Sequence, residues 1–239
     1  MIRFSIFGIP VEVQPFFWIV SVLLSGGLYS DSREGLLAAA LFVVAAFVSI
    51  LIHELGHALT GRRLGGGYAR IALTGFGGLA YNEGGRFTRP QRFWVVAMGP
   101  GAGFAFLLVI IAVLSLVFGA GDVIAYSQRV LFHYSAPINS DAFLNFLHEK
   151  PFIHVFLRHL LWINFWWGII NLLPVLPLDG GRITELFVRP QKLVYQIGIA
   201  AGAAMAVYAF VALGSLYTAC LFGFLAWQNY KALRENPWQ

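Results

Sequence analysis

Apolar residues in this chain fall in long unbroken runs, with little polar residue interleaved. Six runs predict helices over about 16–30, 36–62, 92–118, 154–176, 193–213 and 215–232. The second opens with seventeen uncharged residues, Leu36 to Ile52. The last two form one block of about forty residues, too long for a single helix across a hydrocarbon core of about 30 Å, so it is divided near Gly214-Ser215. Two short segments follow another rhythm. Arg3 to Val13 alternates loosely around Gly8-Ile9-Pro10 and predicts a small hairpin. Arg70-Ile71-Ala72-Leu73-Thr74 alternates between glycine-rich flanks and predicts a short strand or re-entrant hairpin. Pro174 and Pro177 break the fourth run near its end, and Gly180-Gly181 are expected to loosen the chain just after.

Composition narrows what such runs can mean. Of 239 residues, 59% are hydrophobic and 11% charged, too little polar surface for an ordinary soluble domain and too apolar for disorder. The expected fold class is an all-α polytopic membrane protein with about six transmembrane helices and small β elements. Six spans place both termini and the loops 2–3 and 4–5 on one side, which carries twelve of the sixteen basic residues. Lys and Arg concentrate in cytoplasmic loops, so both termini are expected in the cytoplasm of a cell, the membrane being a prokaryotic inner membrane. The net charge of +5 then reports orientation, and the basic 62–92 loop calls for no nucleic acid. Glu12, Pro10 and Pro15 interrupt the N-terminus, which does not read as a cleavable signal. Cys220, the one cysteine, is expected to be a small buried thiol in the last run.

The chemistry lies where ionisable residues enter the apolar runs. His53-Glu54-x-x-His57 ends the uncharged part of the second run. Positions i and i+4 share a helix face, so both imidazoles can reach one metal ion, while Glu54 stands beside it as a proton acceptor for a bound water. Three ionisable groups within five residues of a membrane helix cost several kcal/mol, which argues against incidental packing. A catalytic metal of this kind takes a third protein ligand from the same membrane depth. Span 4 runs in the same direction as span 2, and its C-terminal end reads Asn171-Leu172-Leu173-Pro174-Val175-Leu176-Pro177-Leu178-Asp179-Gly180-Gly181. Topology favours Asp179. His133, His148, His154 and His159 fall on the far side or in the outer part of span 4, and Glu83 reads as a solvated loop carboxylate. Asn171 lies two helical turns before Asp179, either hydrogen-bonding a substrate or oxyanion or joining two helices.

These two motifs together resemble the site-2 protease family of intramembrane zinc metalloproteases. Phe7-Gly8-Ile9-Pro10-Val11, Phe76-Gly77-Gly78 and Gly99-Pro100 are similar to that family as well, and the resemblance extends to about Arg182. It implies one zinc ion held by His53, His57 and Asp179, Glu54 as general base, and a catalytic core of three helices. On this reading residues 1–239 form a single membrane protease domain, with the core over about 36–182 and accessory helices over about 193–232. Many relatives carry asparagine shortly after the Gly-Pro of the third span, where this chain has Gly101-Ala102-Gly103. The implied substrate is a transmembrane segment cleaved near the cytoplasmic face. Segment 65–80 is expected to pair with its opened backbone as a short strand or re-entrant hairpin, the alternative being an ordinary glycine-rich loop. The other readings of the same residues are a metal-binding transporter and an inactive relative that only binds membrane helices. The oligomeric state is not legible.

Overall fold

The computed structural model describes residues 1–134 and 136–235. The chain forms two compact units, Met1–Phe87 with Met98–Gly168, and Thr88–Ala97 with Ile169–Gln239.

The first unit is organised along one long helix. Strands β1 (Ile2–Ile6) and β2 (Ile9–Val13) form the hairpin expected from the alternation, turning at Phe7-Gly8 with positive φ at both residues. Helix α1 (Pro15–Leu24) follows, then α2 (Arg33–Gly65), β3 (Tyr68–Thr74) and β4 (Gly77–Glu83). The sheet runs β1-β2-β3-β4, with β2 and β3 parallel and the two hairpins antiparallel. A parallel pair needs a long crossover, here supplied by α1 and α2. At 1.5 Å per residue α2 is about 50 Å long. Ser32 caps its N-terminus by accepting a hydrogen bond from the Gly35 amide at 3.0 Å. Glu34 in the first turn and Arg62 and Arg63 in the last suit the helix dipole.

The hairpin and α1 retrace α2 from one end to the other. Arg62 donates to the Phe7 carbonyl at 2.8 Å, Phe17 and Trp18 pack on Phe47, and a side chain at Gly27 would meet Ala39. The core here joins Ile9, Val11, Val13, Ile71 and Leu73 of the sheet to Ile50, Leu51 and Ala58 of α2. The first apolar run is therefore not one membrane helix over 16–30. Its helix has ten residues and leaves the remaining length to a turn and a short 3-10 helix, Gly27–Tyr29.

Helix α3 (Arg89–Phe118) presents its Met98–Phe118 part to this unit, and α6 (Pro151–Asn171) ends in it at Gly168. Gly56 of α2 lies directly on the Met98 carbonyl, and Gly168 of α6 on the Phe104 ring. Small residues let helix backbones approach closely where no hydrophobic force separates lipid from protein. Across α2 and α6, Asn164 Nδ2 donates to Ser49 Oγ at 2.8 Å. The stretch after α3, expected as a loop, instead holds two amphipathic helices, α4 (Ala120–Phe132) and α5 (Asp141–Glu149). They bury Val123, Tyr126, Phe143 and Leu147 against Leu107 and Leu114 of α3 and Leu161 of α6.

In the second unit α7 (Asp179–Phe187) is followed by α8 (Gln191–Val211) and α9 (Leu216–Glu235), the latter two an antiparallel pair. The chain turns between them at Gly214, φ +60°, where the apolar block was divided. Among the described residues four helices are long and apolar enough to cross a membrane: α2, α3, α6 and α8. The ten-residue apolar helix α1, and α9, where Gln228, Asn229 and Lys231 interrupt the apolar run, fall outside that set. Cys220, expected buried, is exposed on α9.

Close approach at Gly56 gives a direct test. Gly56→Leu drives a side chain into the Met98 backbone, at a cost on the order of 1–3 kcal/mol. Thermal unfolding in detergent is expected to drop by several degrees, whereas Gly223→Ala, which faces open space, leaves it unchanged.

Candidate metal centre

Helix α2 carries the site's polar groups into an apolar interior. His53, Glu54 and His57 are 2%, 4% and 8% exposed, among Ile50, Leu51 and Ala58. One helical turn separates the imidazoles, so they project from the same face. Their Nε2 atoms stand 3.2 Å apart with the rings at 79°. Two nitrogens each about 2.05 Å from one ion at a tetrahedral angle would lie about 3.4 Å apart. The histidine pair therefore already has the separation that shared ligation requires.

Glycines hold the pair in place by letting backbone reach it. A Cβ at Gly99 of α3 would overlap the His57 imidazole, and one at Gly78 of β4 would overlap the Glu54 carboxylate. Gly99-Pro100 thus serves contact with the His57 imidazole, beyond the kink expected of it. Gly78 brings the sheet against Glu54, while Asn82, further along β4, lies on Gly61 of α2. Ser49, one turn before His53, is fixed by Asn164. Sequence reading passed over Asn164, although a lone amide in an apolar helix is a signal in itself.

Asp179 belongs to the second unit, where it is the first residue of α7 and 5% exposed. A carboxylate in a first helical turn is favoured by the helix dipole. Residues 172–178 before it are non-helical, as the two prolines led one to expect. Gly180 and Gly181 do not loosen the chain after it. Both are helical and buried, and a Cβ on either would overlap the backbone of Leu172–Leu173 or Val175–Leu176. They let α7 begin tight against the preceding loop. Asn171 is buried at the last position of α6. Because the helix stops there, Asn171 and Asp179 do not share a helix face, contrary to the two-turn spacing.

The remaining candidates have other roles. Glu83 ends β4, in an exposed ion pair with Arg70 at 2.7 Å that raises the guanidinium pKa. His159 packs edge-on against Phe42, His154 against Tyr126, and His133 closes α4. Among the described residues, the set able to hold a metal ion is His53, His57 and Asp179, all buried. Two imidazole nitrogens and one carboxylate oxygen are the donor chemistry of a three-ligand catalytic zinc site.

The sequence model of peptidase family M50 matches residues 41–214, which take in both motifs. The chain belongs to peptidase family M50. Among its relatives, Rip3 of Mycobacterium tuberculosis is 29% identical over 233 residues, 92% of this chain and 52% of Rip3. Zinc metalloprotease MJ0392 of Methanocaldococcus jannaschii is 26% identical over 180 residues, 75% of this chain and 43% of that protein. The chain spans about half the length of the curated relatives it matches. Its fold is that of the solved site-2 protease from Methanocaldococcus jannaschii, with a TM-score of 0.54 at 22% identity, covering 95% of this chain and 94% of the other. The M50 chain is accordingly a polytopic membrane protein with a small sheet, as its apolar helices indicate.

Gly99→Ala is expected to displace the His57 ring and weaken divalent-metal binding at least tenfold, measured by competition with a chelator in detergent. Unchanged affinity would show that Gly99 does not hold the ligand.

Proposed function

We propose that this M50 chain is an intramembrane zinc endopeptidase that hydrolyses peptide bonds in or near transmembrane segments. The observation that carries the reading is the pair of Nε2 atoms 3.2 Å apart beside a buried Glu54 on one apolar helix. The ligand set is His53, His57 and Asp179, supported by their donor chemistry and burial. When bound, zinc supplies a water of lowered pKa and polarises the scissile carbonyl. Glu54 accepts the proton of the attacking water at its carboxylate and delivers it to the leaving amine nitrogen. Gly78 against that carboxylate limits its movement and keeps bulk water from the same side. Asn171 serves as a hydrogen-bond donor to substrate at the end of α6.

A helical substrate hides its peptide bonds, so it must open and pair its backbone with protein. Strand β3 cannot be the partner expected from sequence, because β2 and β4 occupy both of its edges. Strand β4 has an open edge and passes Glu54 at Gly78, which makes β4 the docking strand in this reading. The two-residue turn after Thr74 sets ladder bonds at Thr74–Gly77, Ala72–Leu79 and Arg70–Tyr81, so the amides of Gly78 and Ala80 point to the open edge. In this reading the membrane is a prokaryotic inner membrane with both termini in the cytoplasm, an orientation that the basic residues around 62–92 support. Partners are then a membrane-protein substrate and the bilayer.

Purified protein with a single-span test substrate decides this. Glu54→Gln is expected to slow cleavage roughly 10²–10⁴-fold while zinc content stays at wild type. Chelation is expected to stop cleavage and added zinc to restore it. Cleavage that survives Glu54→Gln overturns the reading, and zinc binding without any cleavage points to a transporter or a helix-binding relative. Ala80→Pro is expected to cut cleavage at least tenfold with zinc retained, while full cleavage would remove β4 as the docking strand.

A further inference from the structure

The segment that presents Asp179 is held by a helix pair outside the expected catalytic core. Asn229, on α9, is 2% exposed. Its Nδ2 donates twice, to the Leu225 carbonyl one turn back and to the Leu176 carbonyl, both at 2.8 Å. Leu176 lies three residues before Asp179, within the non-helical stretch 172–178. That stretch also sinks Val175, wholly buried, among Phe222 and Leu225 of α9, with Ala201 and Met205 of α8 beside them. Local backbone bonds carry the restraint forward: the Leu178 amide donates to the Val175 carbonyl at 2.8 Å, and the Arg182 amide to the Leu178 carbonyl at 3.0 Å. Gly198 of α8 clears the room for the amide, since a Cβ there would overlap Asn229 Oδ1.

We infer that Asn229 is a positioning residue for Asp179, fixing the carboxylate through the Leu176 carbonyl, and that the α8–α9 pair thereby sets zinc affinity. A metal ligand tolerates errors of only about 0.5 Å, and three residues of chain connect the clamped carbonyl to the ligand. Without the amide, a carbonyl in apolar surroundings loses its donor and the stretch turns to satisfy it elsewhere. The inference rests on the zinc reading above and concerns one ligand of that site.

The test uses the full chain in detergent and zinc alone as probe. Asn229→Leu keeps the side-chain volume and removes the donor. Zinc affinity, measured by chelator competition, is expected to fall at least tenfold, while the metal-free protein still unfolds cooperatively, only a few degrees lower. In an Asp179→Ala background, the same substitution is expected to change affinity less than twofold, because the ligand it positions is gone. Gly198→Ala, which pushes on the amide from α8, should reproduce the loss and serves in its place should Asn229→Leu not fold. Unchanged affinity in a wild type that binds zinc overturns the inference alone, as does an equal loss with and without Asp179. A wild type that binds no zinc overturns the zinc reading and this inference with it.

Discussion

Burying ionisable groups among apolar side chains is the constraint from which this structure follows. A charge in such surroundings is costly unless it is paired, coordinated or hydrogen-bonded. Helix α2 concentrates that cost in five residues, His53 to His57, and its neighbours are shaped to meet it. Gly99 exposes the backbone of α3 to one imidazole, and Gly78 does the same for the carboxylate from β4. Farther along the helix, Ser49 and Asn164 satisfy each other across α2 and α6. Around Leu107, Leu114 and Phe143 the core is built mainly from apolar side chains.

The sheet answers a second requirement, which is to bring polar backbone alongside a membrane helix without exposing it. Its ladders pair β2 and β3 on both edges, and its buried face supplies Val11, Val13, Ile71 and Leu73 to the same core as Ile50 and Leu51. In the second unit the equivalent task falls to side chains. The broken stretch before Asp179 settles its carbonyls through an asparagine, two glycines and short local bonds rather than a ladder.

How much of this could be read in advance depended on the kind of force involved. The histidine pair, Glu54, the break before Asp179 and both hairpins were legible, because each rests on local spacing or on proline and alternation. The reach of α1 was not, since hydropathy measures apolar content and cannot say that part of the run is a turn and a short 3-10 helix. Helices α4 and α5 were missed for a related reason: they are short and amphipathic, and a search for long apolar runs passes over them. The shared face of Asn171 and Asp179 failed because helical spacing was carried past the residue where the helix stops. Gly180 and Gly181 were taken as flexible, when the contacts that demand a missing Cβ come from a loop folded back over them. Asn229 was passed over, and its partner lies 53 residues away, a relation that no local pattern encodes.

The parallel pairing of β2 with β3 has a bearing on how the molecule is made. Strand β2 is complete at Val13, yet its partner begins only at Tyr68, after the whole of α2. During synthesis the first hairpin therefore waits, with one edge unsatisfied, until the helix bearing His53 and His57 has been laid down. Strand β4, whose Gly78 lies on Glu54, joins last of all. The helix with the reactive groups thus exists before the wall that encloses them, and the order of translation alone keeps the nascent chain from having a finished site.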